Sequence, residues 1–191
     1  MKKIVLIILF SCTVSFAQKQ KVILKESQQS ETLIENNQTS DIKLIQANFK
    51  RINTIGKWSK ITQYETDDSA DGGYINYYYN NDKLEKIVVR KFGESGQYLA
   101  EYYLLKAKLS FVFEKDLKYN VPYYLKEFNY DDSEIIEDRF YYLNNKLITY
   151  KSNQDDGAPF SDSFIKNEEK RVLKEFNQLL KNSSLAKKTT K

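Results

Sequence analysis

The chain of 191 residues contains no histidine and a single cysteine, Cys12. Cys12 lies in an N-terminal segment that we predict to be removed, so the mature chain would have neither residue type. It would therefore lack thiolate nucleophiles, serine–histidine pairs and the histidine ligands of zinc and copper sites. Disulfide bonds are excluded for the same reason. Any chemistry would depend on carboxylates, lysine, arginine, tyrosine or hydroxyl groups.

Proline and glycine are also scarce, with two and six residues, which argues against a long disordered chain. In contrast, the chain has 15 tyrosines and 11 phenylalanines, residues that favour a pleated, half-buried surface. The formal net charge of +4 falls by two when Lys2 and Lys3 are removed with the N-terminal segment. A charge this close to neutral predicts no nucleic-acid partner, which would need a clustered basic face.

The N-terminus has the pattern of a bacterial signal peptide. Basic Lys2 and Lys3 precede an apolar run over residues 4–10, and Ser15-Phe16-Ala17 places small residues where a signal peptidase reads. We predict a signal peptide over residues 1–17, cleaved before Gln18, and a protein exported to the periplasm or beyond. The apolar run is shorter than the roughly 20 residues that span a bilayer, so no transmembrane segment is expected in the mature chain.

Cys12 offers an alternative ending for this segment. Leu9-Phe10-Ser11-Cys12 resembles a lipobox, in which the cysteine is lipidated and becomes the new N-terminus. The mature protein would then be tethered to a membrane by its lipid rather than released.

The rest of the chain divides into a polar linker over residues 18–38, one domain over 39–182 and a flexible basic tail over 183–191. Apolar residues at helical spacing predict one helix over residues 40–55 and another over 163–181. Ser161, Asp162 and Ser163 are candidate N-caps for the second helix. Both helices would be amphipathic.

Between the helices, the apolar period changes to two and short polar turns follow one another closely, which predicts antiparallel hairpins. The predicted strands are 59–66, 74–80, 83–92, 97–105, 108–116, 122–130, 134–143 and 146–151. A tyrosine pair, a turn and Lys-Leu recur in sequence as Tyr78-Tyr79 with Lys83-Leu84, Tyr102-Tyr103 with Lys108-Leu109 and Tyr141-Tyr142 with Lys146-Leu147. The expected fold is α+β: an antiparallel β-meander of about seven to eight strands packed against an N-terminal and a C-terminal helix.

The abundance of tyrosine suggests an aromatic binding surface, since tyrosine offers rigid contact area and a hydroxyl. Strands with tyrosine on both faces would leave some of these rings exposed, although for any one ring packing in the core is the more common role. The candidates for a surface patch are Trp58, Tyr77, Tyr79, Tyr102 and Tyr141.

Two acidic segments are weaker candidates. Asp67, Ser69 and Asp71 resemble the start of a calcium loop, but the twelfth position is Tyr78 instead of the bidentate glutamate, so an ordinary solvated turn is the alternative. Carboxylates at residues 131–138 could serve acid–base chemistry only across a cleft of suitable width. We predict no catalytic residue and no cofactor.

Five segments of the chain carry a family resemblance: residues 92–97, 101–103, 109–113, 139–142 and 146–148. In these segments the chain resembles a group of small exported proteins of the Bacteroidota type, and the likeness extends over residues 58–181. The resemblance implies export and this fold but no activity. We therefore expect a non-catalytic binding module of the cell envelope that recognises a protein or glycan through an aromatic sheet face. The alternatives are a carboxylate-dependent hydrolase acting on glycans and a lipid-anchored structural protein of the envelope.

Overall fold

The computed structural model describes residues 39–189, with side chains described as far as residue 183. Residues 44–191 belong to one compact unit. The elements, in order, are α1 (residues 39–53), β1 (Lys60–Thr66), β2 (Gly73–Asn80), β3 (Lys83–Gly93), β4 (Gly96–Leu105), β5 (Lys108–Lys118), β6 (Glu134–Leu143), β7 (Lys146–Ser152) and α2 (Asp162–Thr189). The predicted α+β class is confirmed. Among residues 39–189, no helix combines the length and the apolar character needed to cross a membrane.

The seven strands form a single antiparallel sheet in the order β1 to β7, so every strand pairs with its neighbours in sequence. Three of the hairpins turn on two residues that both have positive φ: Asn81–Asp82, Lys106–Ala107 and Asn144–Asn145. This backbone matches the twist of paired strands, and asparagine and aspartate tolerate it well. Lys106 and Ala107 also have positive φ, although lysine and alanine tolerate this backbone less well than asparagine does.

Each of these hairpins also contains a register shift, located after Tyr78, after Tyr103 and after Tyr141. Each register shift lies at the same number of residues before its turn. The repeat seen in the sequence therefore corresponds to three hairpins that each contain a bulge at the same position. Its second copy aligns on Tyr103 and not on the predicted Tyr102-Tyr103 pair. A bulge adds one residue to one strand and therefore changes which side chains share a face.

The sheet consequently has two distinct faces, named here after the helices that lie on them. The α2 face carries Tyr77, Tyr102 and Phe140, and the α1 face carries the residues that alternate with them along each strand. Val172, Phe176 and Leu179 of α2 are buried against the α2 face, together with the largest group of buried residues in the described chain. Burying each such side chain stabilises the fold by roughly 1.5–3 kcal/mol.

Buried tyrosines tie α2 to the sheet through their hydroxyl groups. Tyr77 donates to the Leu179 carbonyl at 3.0 Å, and Tyr142 donates to the Glu169 carbonyl at 3.3 Å. Tyr102 donates to the Glu175 carboxylate at 3.1 Å. A buried phenol needs such a partner, because an unsatisfied hydroxyl would lose free energy relative to water. Tyrosine thus supplies both packing and attachment on this face.

The α1 face is covered at one end by residues 44–53. Asn48 is buried and donates to the Leu104 carbonyl at 3.0 Å and to Ser110 Oγ at 3.2 Å, on the two sides of the β4–β5 bulge. Phe49 packs on Tyr103 and Phe111, with ring centroids 4.9 and 5.3 Å apart. The remainder of this face is not covered by α1.

The predicted strand over 122–130 is wrong. This segment contains Pro122, which has no amide hydrogen, and its backbone forms local turns in which Leu125 N donates to Pro122 O and Phe128 N donates to Leu125 O. A 3₁₀ turn over Tyr130–Asp132 follows, with Asn129 as its cap. β5 pairs directly with β6 instead. Residues 119–133 form a long loop between these two strands.

The C-terminal ends of both helices differ from expectation by two or more residues, whereas each helix begins one residue earlier than predicted. The first helix ends at residue 53, two residues before the predicted end. α2 continues to Thr189 instead of stopping at 181, since the chain contains no glycine or proline after Pro159 to end it. The predicted cap is confirmed for Ser161, whose hydroxyl accepts a hydrogen bond from the Phe164 amide at 3.2 Å.

Candidate ligand-binding site

A cleft of about 430 Å³ opens between the α2 face of the sheet and helix α2. Strands β2, β3 and β4 form its floor, because alternate residues of each strand point to this side. The cleft is lined by Asp68, Ile75, Val89, Lys91, Tyr98, Tyr102, Arg171, Glu175, Gln178, Leu179 and Asn182. An apolar base with converging polar groups is the usual form of a small-molecule site.

Arg171 organises the polar wall of this cleft. Its Nη1 and Nη2 donate to the two oxygens of Glu114 at 3.1 and 2.8 Å. Its Nε and Nη2 donate to Glu168 at 3.0 and 2.8 Å, and Nη1 also reaches Glu175 at 3.2 Å. The guanidinium group has five N–H donors, and these three carboxylates use them all. Arg171 therefore positions carboxylates and has no donor left for an anionic ligand.

Glu114 is the buried member of this cluster, with a side chain 7% exposed. Burial raises the pKa of Glu114, while its hydrogen bonds to Arg171 and the positive charge of Arg171 oppose that shift. Burial lowers the pKa of Arg171, but its bonds to Glu114 and Glu168 outweigh this effect and raise the pKa overall. The guanidinium group stays charged, and the carboxylate beneath it is fixed in place.

Tyr98 brings a phenol to the same carboxylate. Burial raises the pKa of Tyr98, and the negative charges of Glu114 and Glu175 raise it further. The phenol is therefore neutral and donates its proton in a hydrogen bond to Glu114. Tyr102 has the same combination of burial and neighbouring carboxylates, which also raises its pKa. Both rings offer hydroxyl groups that do not ionise near neutral pH.

The remaining polar residues are more exposed. Gln178 donates to Asn182 at 3.1 Å, which leaves further amide donors and acceptors of this pair available. The Lys91 ammonium lies 6.0 Å from the centre of the Tyr98 ring. Neither Lys91 nor Asp68 has an ion-pair partner among the described side chains. The charged residues of the lining are thus two basic ones, Lys91 and Arg171, and two acidic ones, Asp68 and Glu175.

Several residues predicted as a surface patch are buried. The prediction of exposure is wrong for four tyrosines, which are at most 9% exposed: Tyr77, Tyr79, Tyr102 and Tyr141. The first three lie under α2, whereas Tyr141 packs on Phe111 of the α1 face, with centroids 5.0 Å apart. Trp58 is half-buried beside Tyr78. The five candidates do not form one surface, although Tyr102 lines the cleft.

The structure does not bring the calcium-like residues together as a metal site. Asp67, Ser69 and Asp71 lie in the turn between β1 and β2, where the Ser69 hydroxyl donates to the Gly72 carbonyl. Within residues 39–183, no group of three or more histidine, cysteine, aspartate or glutamate side chains is arranged to hold a metal. Cys12, the candidate for lipidation, lies outside the described residues.

Sequence reasoning missed Tyr98, Glu114, Arg171 and Glu175. One signal was present on α2, where Glu168, Arg171 and Glu175 stand at the spacings that allow ion pairs on one helix face. A second was Glu114, a charged residue at the alternate position after Val112, which is fully buried. A carboxylate on the core side of a strand needs a cation opposite. The partner on a distant helix could not be identified from spacing alone.

Comparison of the chain with protein-family profiles, curated proteins and solved structures yields no match. The resemblance to exported proteins of the Bacteroidota type stays a prediction.

Proposed function

We propose that this protein is a non-catalytic binding module exported to the cell envelope, and that the cleft beside α2 binds a neutral glycan segment. The observation that carries the proposal is the state of the polar groups in this cleft. Arg171 is engaged by Glu114, Glu168 and Glu175, and of these three carboxylates Glu175 lines the cleft, where it is held in place as a hydrogen-bond acceptor.

The chemistry of the lining supports a sugar as the ligand. Phenol, amide and carboxylate groups donate to and accept from hydroxyl and acetamido groups, while Ile75, Val89 and Leu179 provide an apolar base. The two bases and two acids of the lining balance, which favours a ligand without net charge. An anionic ligand would find the guanidinium group of Arg171 already engaged by Glu114, Glu168 and Glu175.

Calorimetric titration with a neutral N-acetylated oligosaccharide tests this proposal. Gln178→Ala removes an amide at the edge of the cleft and should weaken binding about tenfold, as expected when one or two hydrogen bonds are lost. Asn177→Ala is the matched control, because Asn177 is the exposed neighbour on the same helix and does not line the cleft. Equal affinity of the two variants would contradict the assignment of the cleft.

A second candidate is a carboxylate-dependent hydrolase acting on glycans. It is favoured by one observation: Glu114, whose pKa burial raises, and Glu175 both accept from Arg171 Nη1, at 3.1 and 3.2 Å. Paired carboxylates of glycosidases stand about 5–10 Å apart with the sugar between them. Here the space between them is occupied by Arg171, which is why we prefer binding. Oligosaccharide cleavage that disappears in Glu114→Gln would establish the hydrolase instead.

Export is tested by the N-terminus of the protein purified from its own cells. Cleavage before Gln18 gives a free N-terminal residue that mass spectrometry identifies. An acylated Cys12 would support the lipid-anchored structural protein, and a chain that still begins at Met1 would contradict export.

A further inference from the structure

A second, smaller cavity of about 170 Å³ lies on the α1 face of the sheet, away from α1 and beside the loop over residues 119–133. Its lining includes Arg90, Gln97, Leu99, Lys115, Leu117 and Tyr130. The lining contains two cations and no acidic residue. The sheet lies between this cavity and the cleft beside α2, since Arg90 and Val89 point to opposite faces, and Tyr98 of β4 is common to the two linings.

Arg90 differs from the other arginines of the chain. Arg51 pairs with Glu85 at 2.6 Å, Arg139 with Glu137 at 2.7 Å and Arg171 with Glu114 at 2.8 Å. Arg90 forms no side-chain hydrogen bond or ion pair with any other described residue, although it is half-buried. A partly desolvated guanidinium group with unused donors is a ready partner for an anion.

Lys115 adds a second positive charge to the same cavity. In the strand register, Arg90 of β3 and Lys115 of β5 both pair with Leu99 of β4, so they flank this leucine. The Lys115 ammonium is 3.9 Å from the nearer oxygen of Glu137, whose other oxygen accepts from Arg139 at 2.7 Å. Glu137 is therefore shared by two cations, so the four side chains of Arg90, Lys115, Glu137 and Arg139 together carry a net charge of +2.

We infer that the cavity around Arg90 and Lys115 binds a carboxylate or phosphate group attached to a small apolar moiety. The planar fork of a guanidinium group recognises such oxyanions through two parallel hydrogen bonds. Leu99 and Leu117 supply an apolar floor, and the Tyr130 ring borders the cavity from the loop. This site goes beyond the proposed glycan cleft and does not depend on it.

Titrations monitored by NMR test the site with three probes: N-acetyl-leucine, its uncharged amide, and inorganic phosphate. We expect N-acetyl-leucine to shift the amide resonances of β3–β5 around Arg90 and its uncharged amide to bind at least tenfold more weakly. Arg90→Gln should weaken anion binding at least tenfold, and Lys115→Gln by a smaller factor. Phosphate binding at the same resonances would show that the site accepts a bare oxyanion, whereas a response to N-acetyl-leucine alone would show that the apolar moiety is needed.

Arg51→Gln is the matched control, because it removes the same charge from α1, outside the cavity. It should leave anion binding unchanged, and thermal melting of each variant verifies folding. The inference is overturned if none of the probes shifts these resonances, if the amide binds as well as the acid, or if Arg90→Gln and Arg51→Gln bind alike. The proposed function predicts that Arg90→Gln still binds the oligosaccharide in the cleft with unchanged affinity. An oligosaccharide titration of this variant therefore distinguishes failure of the anion site from failure of the glycan cleft.

Discussion

The two faces of the sheet use the same residue types in different ways. On the α2 face, tyrosine hydroxyls bond to a helix and a buried carboxylate is held by Arg171. On the α1 face, Lys115 and Arg139 share Glu137, which is 26% exposed against 7% for Glu114, and Arg90 has no ion-pair partner among the described residues. The guanidinium group of Arg171 is thus fully engaged within the fold on one face, and that of Arg90 is left available on the other. The first arrangement favours a neutral ligand, and the second favours an anion.

Removing one arginine from each face is expected to give the largest difference in stability between the two faces. Arg171→Ala should destabilise the protein by about 3 kcal/mol, because it leaves the Glu114 carboxylate buried without its cation. This estimate is at the low end for a buried pair, since Arg171 itself is 35% exposed. Urea unfolding at neutral pH measures the loss.

Arg139→Ala is the matched change on the α1 face, where the pair with Glu137 is similarly open on the arginine side and more exposed on the acid side. Its expected cost is below about 1 kcal/mol, the range for ion pairs near the surface. Equal losses in the two variants would show that the faces do not differ in this respect.

A subtler comparison removes one hydroxyl from each face. Tyr77→Phe deletes the bond from a fully buried phenol to the Leu179 carbonyl and should cost about 1 kcal/mol. Tyr141 forms no side-chain hydrogen bond with the described residues, so Tyr141→Phe should change stability by less than about 0.5 kcal/mol. The difference is read from urea midpoints at a constant m-value, and a larger loss for Tyr141→Phe would contradict the account.

The turn between β4 and β5, next to the bulge that determines which residues lie on each face, can be stabilised by a substitution outside both faces. Ala107 is exposed and has φ 62°, a conformation that costs an alanine about 1 kcal/mol and glycine almost nothing. Ala107→Gly should raise the free energy of unfolding by roughly 0.5–1 kcal/mol. Asn145→Gly, at φ 64°, should gain less because asparagine already tolerates this backbone. A destabilised Ala107→Gly variant would refute this reading of the hairpin.

The smallest effect concerns pH. Burial raises the pKa of Glu114 above its ordinary value of 4.5, so the folded protein holds this proton more tightly than the unfolded chain. Its contribution to stability is greatest below that ordinary value and declines as the pH rises through the native pKa. Glu114→Gln cannot titrate, so the difference in unfolding free energy between wild type and variant should change with pH in that direction. A pH-independent difference would mean that the pKa of Glu114 is not raised.

Much of the fold could be predicted from the sequence because its signals are local. Asparagine-rich turns marked two of the three tight hairpins, Ser161 marked the start of α2, and helical spacing identified Val172, Phe176 and Leu179. These features depend on a few neighbouring residues. The α+β class followed from their order along the chain.

The rest depended on contacts between distant residues. The bulge at Ser110 places Leu109 on the α2 face and Phe111 on the α1 face, although simple alternation groups them together. Tyrosine burial could not be predicted from the sequence, since composition does not reveal which face a helix covers. The pairing of Glu114 with Arg171, 57 residues apart, arises only when α2 packs on the sheet.

Chemical-shift mapping with a neutral N-acetylated oligosaccharide tests whether a neutral glycan binds between the sheet and α2. The account predicts shifts at residues that line the cleft, including Lys91, Tyr98 and Gln178, with no change in the sugar itself. Shifts confined to the α1 face, or hydrolysis of the oligosaccharide during the titration, would contradict it.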